Sequence, residues 1–196
     1  MRRFVIIGHR ADTTGNFKLD DVCGGAGRLD VLIRCVNSAF FLSHSIRRDV
    51  EVFLILQGGE DAPKTIRFCG DELRYLNPDE RSTASLIRNA LLKKVAEKEI
   101  RASPGIYVSR KSFEEILVDL AKGGELLYLK ENGKDIRDVR LEGDLIFVLG
   151  DDRDLSKEEE RILSVHASET LSLGPASYHS DHCITLVNNE LDRRGL

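Results

Sequence analysis

The chain has no tryptophan, one methionine, four cysteines and an aromatic content of 6%. Each shortage excludes something. Cys23, Cys35, Cys69 and Cys183 stand far apart without any Cys-x-x-Cys pair. That spacing argues against a zinc site and indicates no disulfide framework, so reduced thiols in a cytoplasmic protein are expected. No apolar run approaches the roughly 20 residues that span a bilayer, so no membrane partner is expected. Met1-Arg-Arg-Phe-Val-Ile-Ile does place basic residues before an apolar stretch, as a signal peptide would. Gly8-His9-Arg10 ends that stretch short of the about 7–15 residues of an h-region, and a first β-strand is the better reading. Gly24-Gly-Ala-Gly27 lacks both the GxGxxG spacing and the Lys-Ser/Thr of a phosphate loop. No Ser-His-Asp order stands out, and no internal repeat or low-complexity tract interrupts the chain.

What remains is ordinary in amount and informative in arrangement. A chain of 196 residues, 41% hydrophobic and 32% charged, is globular in character and is expected to form one domain over residues 1–196. The net charge of −4 argues against bulk polyanion binding. Residues 1–50 nevertheless hold eight Lys/Arg against five Asp/Glu, a surplus of three, which leaves the remainder at −7. Arg2, Arg3, Arg10, Lys18, Arg28, Arg34, Arg47 and Arg48 could form a basic face for phosphates, or could simply be solvated.

Hydrophobic periodicity alternates between strand and helix, which predicts an α/β fold. Phe4–Gly8 reads as a strand, residues 9–27 as a polar loop, and about 28–44 as a helix with Leu29, Leu32, Ile33, Val36 and Phe40 on one face. Strands follow at 49–56, 65–69 and 106–109. Asn77-Pro-Asp-Glu80 predicts a helix with Asn77 as N-cap and Pro78 at the first helical position, running to about Glu99. Ser112-Phe-Glu-Glu115 and Ser156-Lys-Glu-Glu159 are capping boxes. Glu131-Asn-Gly133, between apolar segments, suggests a tight hairpin.

The last quarter is the most telling. Leu145–Leu149 runs into Gly150-Asp-Asp-Arg153, and Glu169–Leu173 runs into Gly174-Pro-Ala-Ser-Tyr178 before a final helix. Two strands ending in glycine-led loops predict a ligand pocket at the C-terminal edge of the sheet. Its walls are expected to be backbone and apolar side chains without a charged clamp, suited to a purine with an apolar thioether tail. Asp151-Asp-Arg-Asp154 reads as helix capping. His179-x-x-His182 could pair on a metal, but the third ligand would have to be Asp181 or a distant residue, and no metal is expected.

The segments Leu126-Leu-Tyr-Leu-Lys-Glu-Asn-Gly133, Phe147-Val-Leu-Gly-Asp-Asp152 and Leu171-Ser-Leu-Gly-Pro-Ala-Ser-Tyr-His-Ser-Asp-His-Cys-Ile184 resemble the SPOUT class of RNA methyltransferases. More closely, and together with Phe4–Ala11 and Arg28–Cys35, they resemble the archaeal tRNA pseudouridine-54 N1-methyltransferase family. The resemblance spans essentially the whole chain. It implies an α/β sheet flanked by helices with a C-terminal deep trefoil knot, a rare exception to unknotted chains. It implies a homodimer and S-adenosylmethionine as cofactor. The implied cofactor-binding residues are Leu129, Gly150, Leu173, Gly174, Pro175, Ala176, Ser177, Tyr178 and Cys183. Catalysis would need positioning of an in-line attack and a destination for the pseudouridine N1 proton. Asp12, Asp20 and Asp21 are candidates for the base edge, and Arg10 for a charged oxygen or phosphate; capping or solvating the loop is the competing role. Alternatives are a ribosomal RNA pseudouridine as substrate, as in related members, or a non-catalytic RNA-binding assembly factor.

Overall fold

The computed structural model describes residues 1–96 and 98–196. Its elements in order are β1 (Arg2–Asp12), α1 (Leu29–Phe40), β2 (Val50–Gly58), β3 (Lys64–Cys69), α2 (Glu80–Leu91), β4 (Ile100–Ser103) and β5 (Ile106–Ser109). There follow α3 (Phe113–Leu120), β6 (Glu125–Asp135), β7 (Leu145–Gly150), α4 (Lys157–Ser164), β8 (Glu169–Ser172) and α5 (Ser180–Arg194). The strands make one mixed sheet in the order β4-β5-β3-β2-β1-β7-β6-β8. β2, β1, β7, β6 and β8 run parallel, whereas β3, β5 and β4 are antiparallel additions at one side.

The central strands are apolar on both faces because helices cover both. Phe4 and Ile6 of β1 belong to the core beneath α1, α2 and α5, while Val5 and Ile7 belong to the core beneath α3 and α4. This two-sided burial produces continuous apolar runs rather than alternation. Phe4 and Phe147 stack across the β1–β7 pair with ring centroids 5.7 Å apart. β1 pairs with β2 on one side and β7 on the other, so chain order reverses at this strand. Such a reversal leaves a crevice at the carboxyl ends of the strands.

Several local expectations are corrected. β1 extends to Asp12, which shortens the loop predicted over residues 9–27. α1 stops at Phe40 rather than near His44, because Phe41 turns extended and bridges to Ile46. The N-cap of α2 is Asp79, not Asn77: the Asp79 carboxylate accepts the Ser82 N–H at 2.7 Å, and Pro78 precedes the cap. α2 ends at Leu91 rather than near Glu99, where the buried Lys64 ammonium donates to the Leu91 carbonyl at 3.0 Å and to that of Thr13 at 2.8 Å. A cation is favourable at a helix C-terminus, and here it satisfies the last-turn carbonyl of Leu91. Glu97, inside the predicted extension, lies outside the described residues. Both capping boxes form, at Ser112 and Ser156.

The hairpin at Glu131-Asn-Gly133 does not form. β6 continues through it and pairs with β8, with Leu129 and Lys134 both opposite Leu171, so the intervening residues bulge out of the ladder. Gly133 is there for close approach. A Cβ at this position would lie 2.6 Å from the Thr170 carbonyl oxygen and from the Leu171 carbonyl carbon, both backbone atoms.

Candidate functional site

Three chain segments converge at the C-terminal edge of β6, β7 and β8: the bulge after Leu129, the loop after Leu149, and the loop from Leu173 to Ser180. Together they wall a cleft of about 290 Å³, near the lower end of the roughly 300–1,000 Å³ of small-molecule sites. Leu129, Gly150, Leu173, Gly174, Ala176, Ser177, Tyr178 and Cys183 line it. Pro175, also exposed, does not. Leu149 and Leu171 complete the apolar wall.

The loop after β7 is tightly wound. A Cβ on Gly150 would sit 2.0 Å from the Arg153 carbonyl oxygen, so only glycine allows the chain to fold back there. The Ser180 hydroxyl, in the first turn of α5, donates to the carbonyls of Gly150 (2.9 Å) and Asp151 (2.7 Å), tying the two loops together. The wall is more charged than expected. Asp151, Asp152, Arg153, Asp154, Lys130 and Glu131 all line the cleft. The acidic run 151–154 is therefore part of the site, because Ser156 caps α4 and leaves the acids to the loop. Lys130 and the Tyr128 hydroxyl donate to Glu160, and the Ser177 hydroxyl donates to Glu131, which holds the Glu131 carboxyl below its usual range.

Behind the cleft lies His9, which follows Gly8 on β1. Its main-chain N–H donates to Asp151 Oδ2 at 2.9 Å, and its ring lies between Asp151 and Glu159. The hydrogen bond to Asp151 raises the His9 pKa; burial opposes this, and the charges of Asp151 and Glu159 add to it. Burial pushes Asp151 up, but the contacts with His9 outweigh it and hold the carboxyl below the ordinary range. Burial likewise pushes Glu159 up and is outweighed by bonds from Ser156, Gln57 and His9. His9 is not among the residues the sequence assigns to the site; its one signal is that it lies within Phe4–Ala11, a segment that carries the family resemblance.

Arginines gather beside this wall. Arg10 and Arg28 both pair with Asp152, while Arg28 and Arg34 pair with Asp30. Arg28 has φ 68°, a left-handed conformation uncommon for a side-chain-bearing residue, at the entry to α1. The Asp181 Oδ1 atom is buried without a hydrogen bond, 3.9 Å from Arg34 Nε. The eight cations of residues 1–50 do not make one face. Arg2 pairs with Asp49 and Asp192, Arg3 with Glu51 and Asp144, Arg47 with Asp192, and Arg48 donates to the carbonyls of Gly70 and Leu73. These four sit where β1 and β2 begin, at the end of the parallel sheet opposite the cleft.

The acidic candidates of the first loop are dispersed. Asp12 is committed to its own turn, accepting the N–H groups of Thr14 (3.0 Å) and Gly15 (2.7 Å) and the Thr14 hydroxyl. Asp20 is exposed, and Asp21 accepts the Gly24 N–H at 3.2 Å. None of the three lines the cleft, and Arg10 reaches it only through Asp152. Burial, with the charges of Glu131 and Asp181, pushes the Cys183 thiol up to about 11. His179 and His182 meet edge to face at 5.6 Å, and among the described residues no three His, Cys, Asp or Glu side chains converge on a metal position.

The family described as "putative SAM-dependent RNA methyltransferase" matches residues 1–196, and this is the class to which such a cleft in such a sheet corresponds. A tRNA (pseudouridine(54)-N(1))-methyltransferase of Methanocella arvoryzae is 51% identical over 195 residues, covering 99% of this chain and 100% of the relative. One of the same name from Haloarcula marismortui is 50% identical over 198 residues, covering 100% and 98%. The chain belongs to the tRNA (pseudouridine(54)-N(1))-methyltransferase family. Its fold is also that of Archaeoglobus fulgidus Nep1, solved with bound S-adenosylhomocysteine, at a TM-score of 0.67 and 19% identity over 99% of both chains.

Proposed function

We propose that this chain methylates N1 of the pseudouridine at position 54 of tRNA, with S-adenosylmethionine as methyl donor. The observation that carries the reading is the cleft itself. The bulge after Leu129, the wound loop at Gly150 and the loop 173–178 meet around one space with apolar and polar walls, in a chain about half identical to relatives of that name. The donor set fits the cofactor. Leu129, Leu149, Leu171 and Leu173 offer a slot for a flat base, bulged and looped backbone offers hydrogen-bonding groups to its edge and ribose, and Tyr178 and Cys183 close the far side. When bound, the cofactor supplies an activated methyl group on a sulfonium.

The chain's own task is then positioning and proton handling. The target N1 must approach in line, which oriented binding contributes most to, and its N–H proton must leave as the N–C bond forms. This reading assigns Arg10, with Arg28 beside it on Asp152, to the charge that grows on the base or to its phosphate. Exposed Asp20 is the proton acceptor, and Asp12 acts by shaping the loop that carries it. The same reading has the C-terminal segment pass through an earlier loop as a trefoil knot. Two copies of the single domain pair so that one subunit's first loop completes the other's site, in the cytoplasm. The absence, among the described residues, of any helix long and apolar enough to cross a membrane is compatible with that setting.

Calorimetry with S-adenosylhomocysteine tests the cofactor, and mass spectrometry of digested tRNA and ribosomal RNA after incubation tests the substrate. No binding would leave a non-catalytic RNA-binding factor; methyl label in ribosomal RNA alone would move the substrate. Asp20→Ala or Asp12→Ala enzyme that keeps full turnover with cofactor bound removes that residue from the scheme.

A further inference from the structure

Both ring nitrogens of His9 face carboxylate oxygens: Nδ1 is 2.9 Å from Asp151 Oδ1, and Nε2 is 3.1 Å from Glu159 Oε2. A neutral imidazole carries one N–H and one lone pair. Whichever nitrogen held the lone pair would aim it at a carboxylate, so only the doubly protonated ring donates in both directions. The two acids are anchored as well. Asp151 also accepts the main-chain N–H groups of His9 (2.9 Å) and Arg153 (3.1 Å). Glu159 also accepts the Ser156 N–H (2.7 Å) and the Gln57 amide (3.0 Å). The ring thus joins the C-terminal third of β1 to the loop after β7 and to the first turn of α4.

We propose that His9, as an imidazolium, is a positioning residue for the methyl donor: it holds the loop 150–154 in the shape that receives the cofactor, and its deprotonation releases that loop. The inference rests on the cofactor reading above. His9 does not line the cleft; it acts through Asp151, which does, and whose neighbours Gly150 and Asp152 also do. The charged groups that contact the ring are Asp151 from the loop after β7 and Glu159 from α4; Gln57 of β2 bonds to Glu159 and is neutral. The contact is complete while the ring is charged and is lost as pH rises through its raised pKa. Cofactor affinity therefore falls on the alkaline side.

The test is calorimetric titration of the full chain with S-adenosylhomocysteine from about pH 6 to about pH 9, which spans the histidine range. Wild type, His9→Gln and Glu159→Gln are compared; the ligand's own amino group titrates identically in all three, so differences belong to the protein. His9→Gln is expected to bind about tenfold more weakly at the acid end and to lose the alkaline step. Glu159→Gln removes one facing charge while keeping an oxygen for Ser156, and its midpoint is expected about one pH unit lower. A His9→Gln profile that coincides with wild type at every pH overturns the proposal, as does an unmoved midpoint in Glu159→Gln. Should His9→Gln show no cooperative melt, the Glu159→Gln midpoint decides alone. Wild type that binds at no pH overturns the cofactor reading, and this inference with it, whereas binding with coincident profiles overturns only the role of His9.

Discussion

At Gly150 a methyl group would sit only 2.0 Å from the Arg153 carbonyl oxygen. Because the obstacle is backbone, relief requires the whole loop to open. Gly150→Ala is expected to destabilise the fold by about 1–3 kcal/mol, as overpacking does. The same change should weaken S-adenosylhomocysteine binding by at least about tenfold, since loop misplacement is felt directly in a preorganised site. Unchanged affinity by calorimetry would detach this loop from the cofactor. Cys183 presents the opposite situation, a thiol in the cleft held in its neutral form. Burial and neighbouring acids push it up to about 11, so it is a neutral thiol near pH 7. Mass spectrometry of iodoacetamide-treated protein at neutral pH should find exposed Cys23 alkylated first and Cys183 largely intact. Rapid labelling of Cys183 would contradict its placement. Glycine and cysteine were both visible in the sequence as members of the site. Which constraint acts on each became visible only with the folded surroundings, the Arg153 carbonyl for Gly150 and burial beside Glu131 and Asp181 for Cys183.

Among the elements, the legible ones are those whose signal is local. Ser112 and Ser156 lie three residues before Glu115 and Glu159, and both capping boxes close within that span. At the start of α2 the cap is Asp79, two residues beyond the Asn77 that the spacing predicts. Asp79→Ala should therefore cost about 1 kcal/mol in chemical denaturation, the usual value of an N-cap. Asn77→Ala, which loses only an exposed 3.3 Å contact to the Ser82 hydroxyl, should change stability by less than about 0.5 kcal/mol, as surface substitutions do. Equal losses would restore Asn77 as the cap. β6 is the instructive miss. Asn-Gly is a strong local cue for a hairpin, but here parallel pairing with β8 keeps the strand going and converts the cue into a bulge. The signal that could have corrected it is in β8, some forty residues on, and no window around Gly133 contains it.

For the whole molecule, charge placement governs the response to pH and divides the basic N-terminal segment. Asp30, Asp144, Asp151, Glu159 and Asp192 are all held below the ordinary carboxylate range. Depressed folded values mean that their contribution is present above the unfolded range near about 4 and is lost as pH falls through the folded values. His9 runs the other way, contributing in full below about 6.5 and losing it as pH rises through its raised value. Guanidinium midpoints should thus be highest between about pH 5 and about pH 6.5, and decline on both sides. A midpoint that climbs steadily as the solution is acidified would contradict the carboxylate assignments. By itself, the sequence determined the alternation of strands and helices, two of the helix caps, and the two glycine-led loops that end β7 and β8. All of these rest on periodicity, short spacing, or motifs contiguous in the chain. Only the tertiary structure decided that Arg2, Arg3, Arg47 and Arg48 are ties at the far end of the sheet while Arg10, Arg28 and Arg34 stand at the cleft. It alone set His9 between two acids more than 140 residues away. The reason is physical: a charge's role depends on which opposite charge the fold brings within about 4 Å, and strand order, not sequence distance, sets that partner.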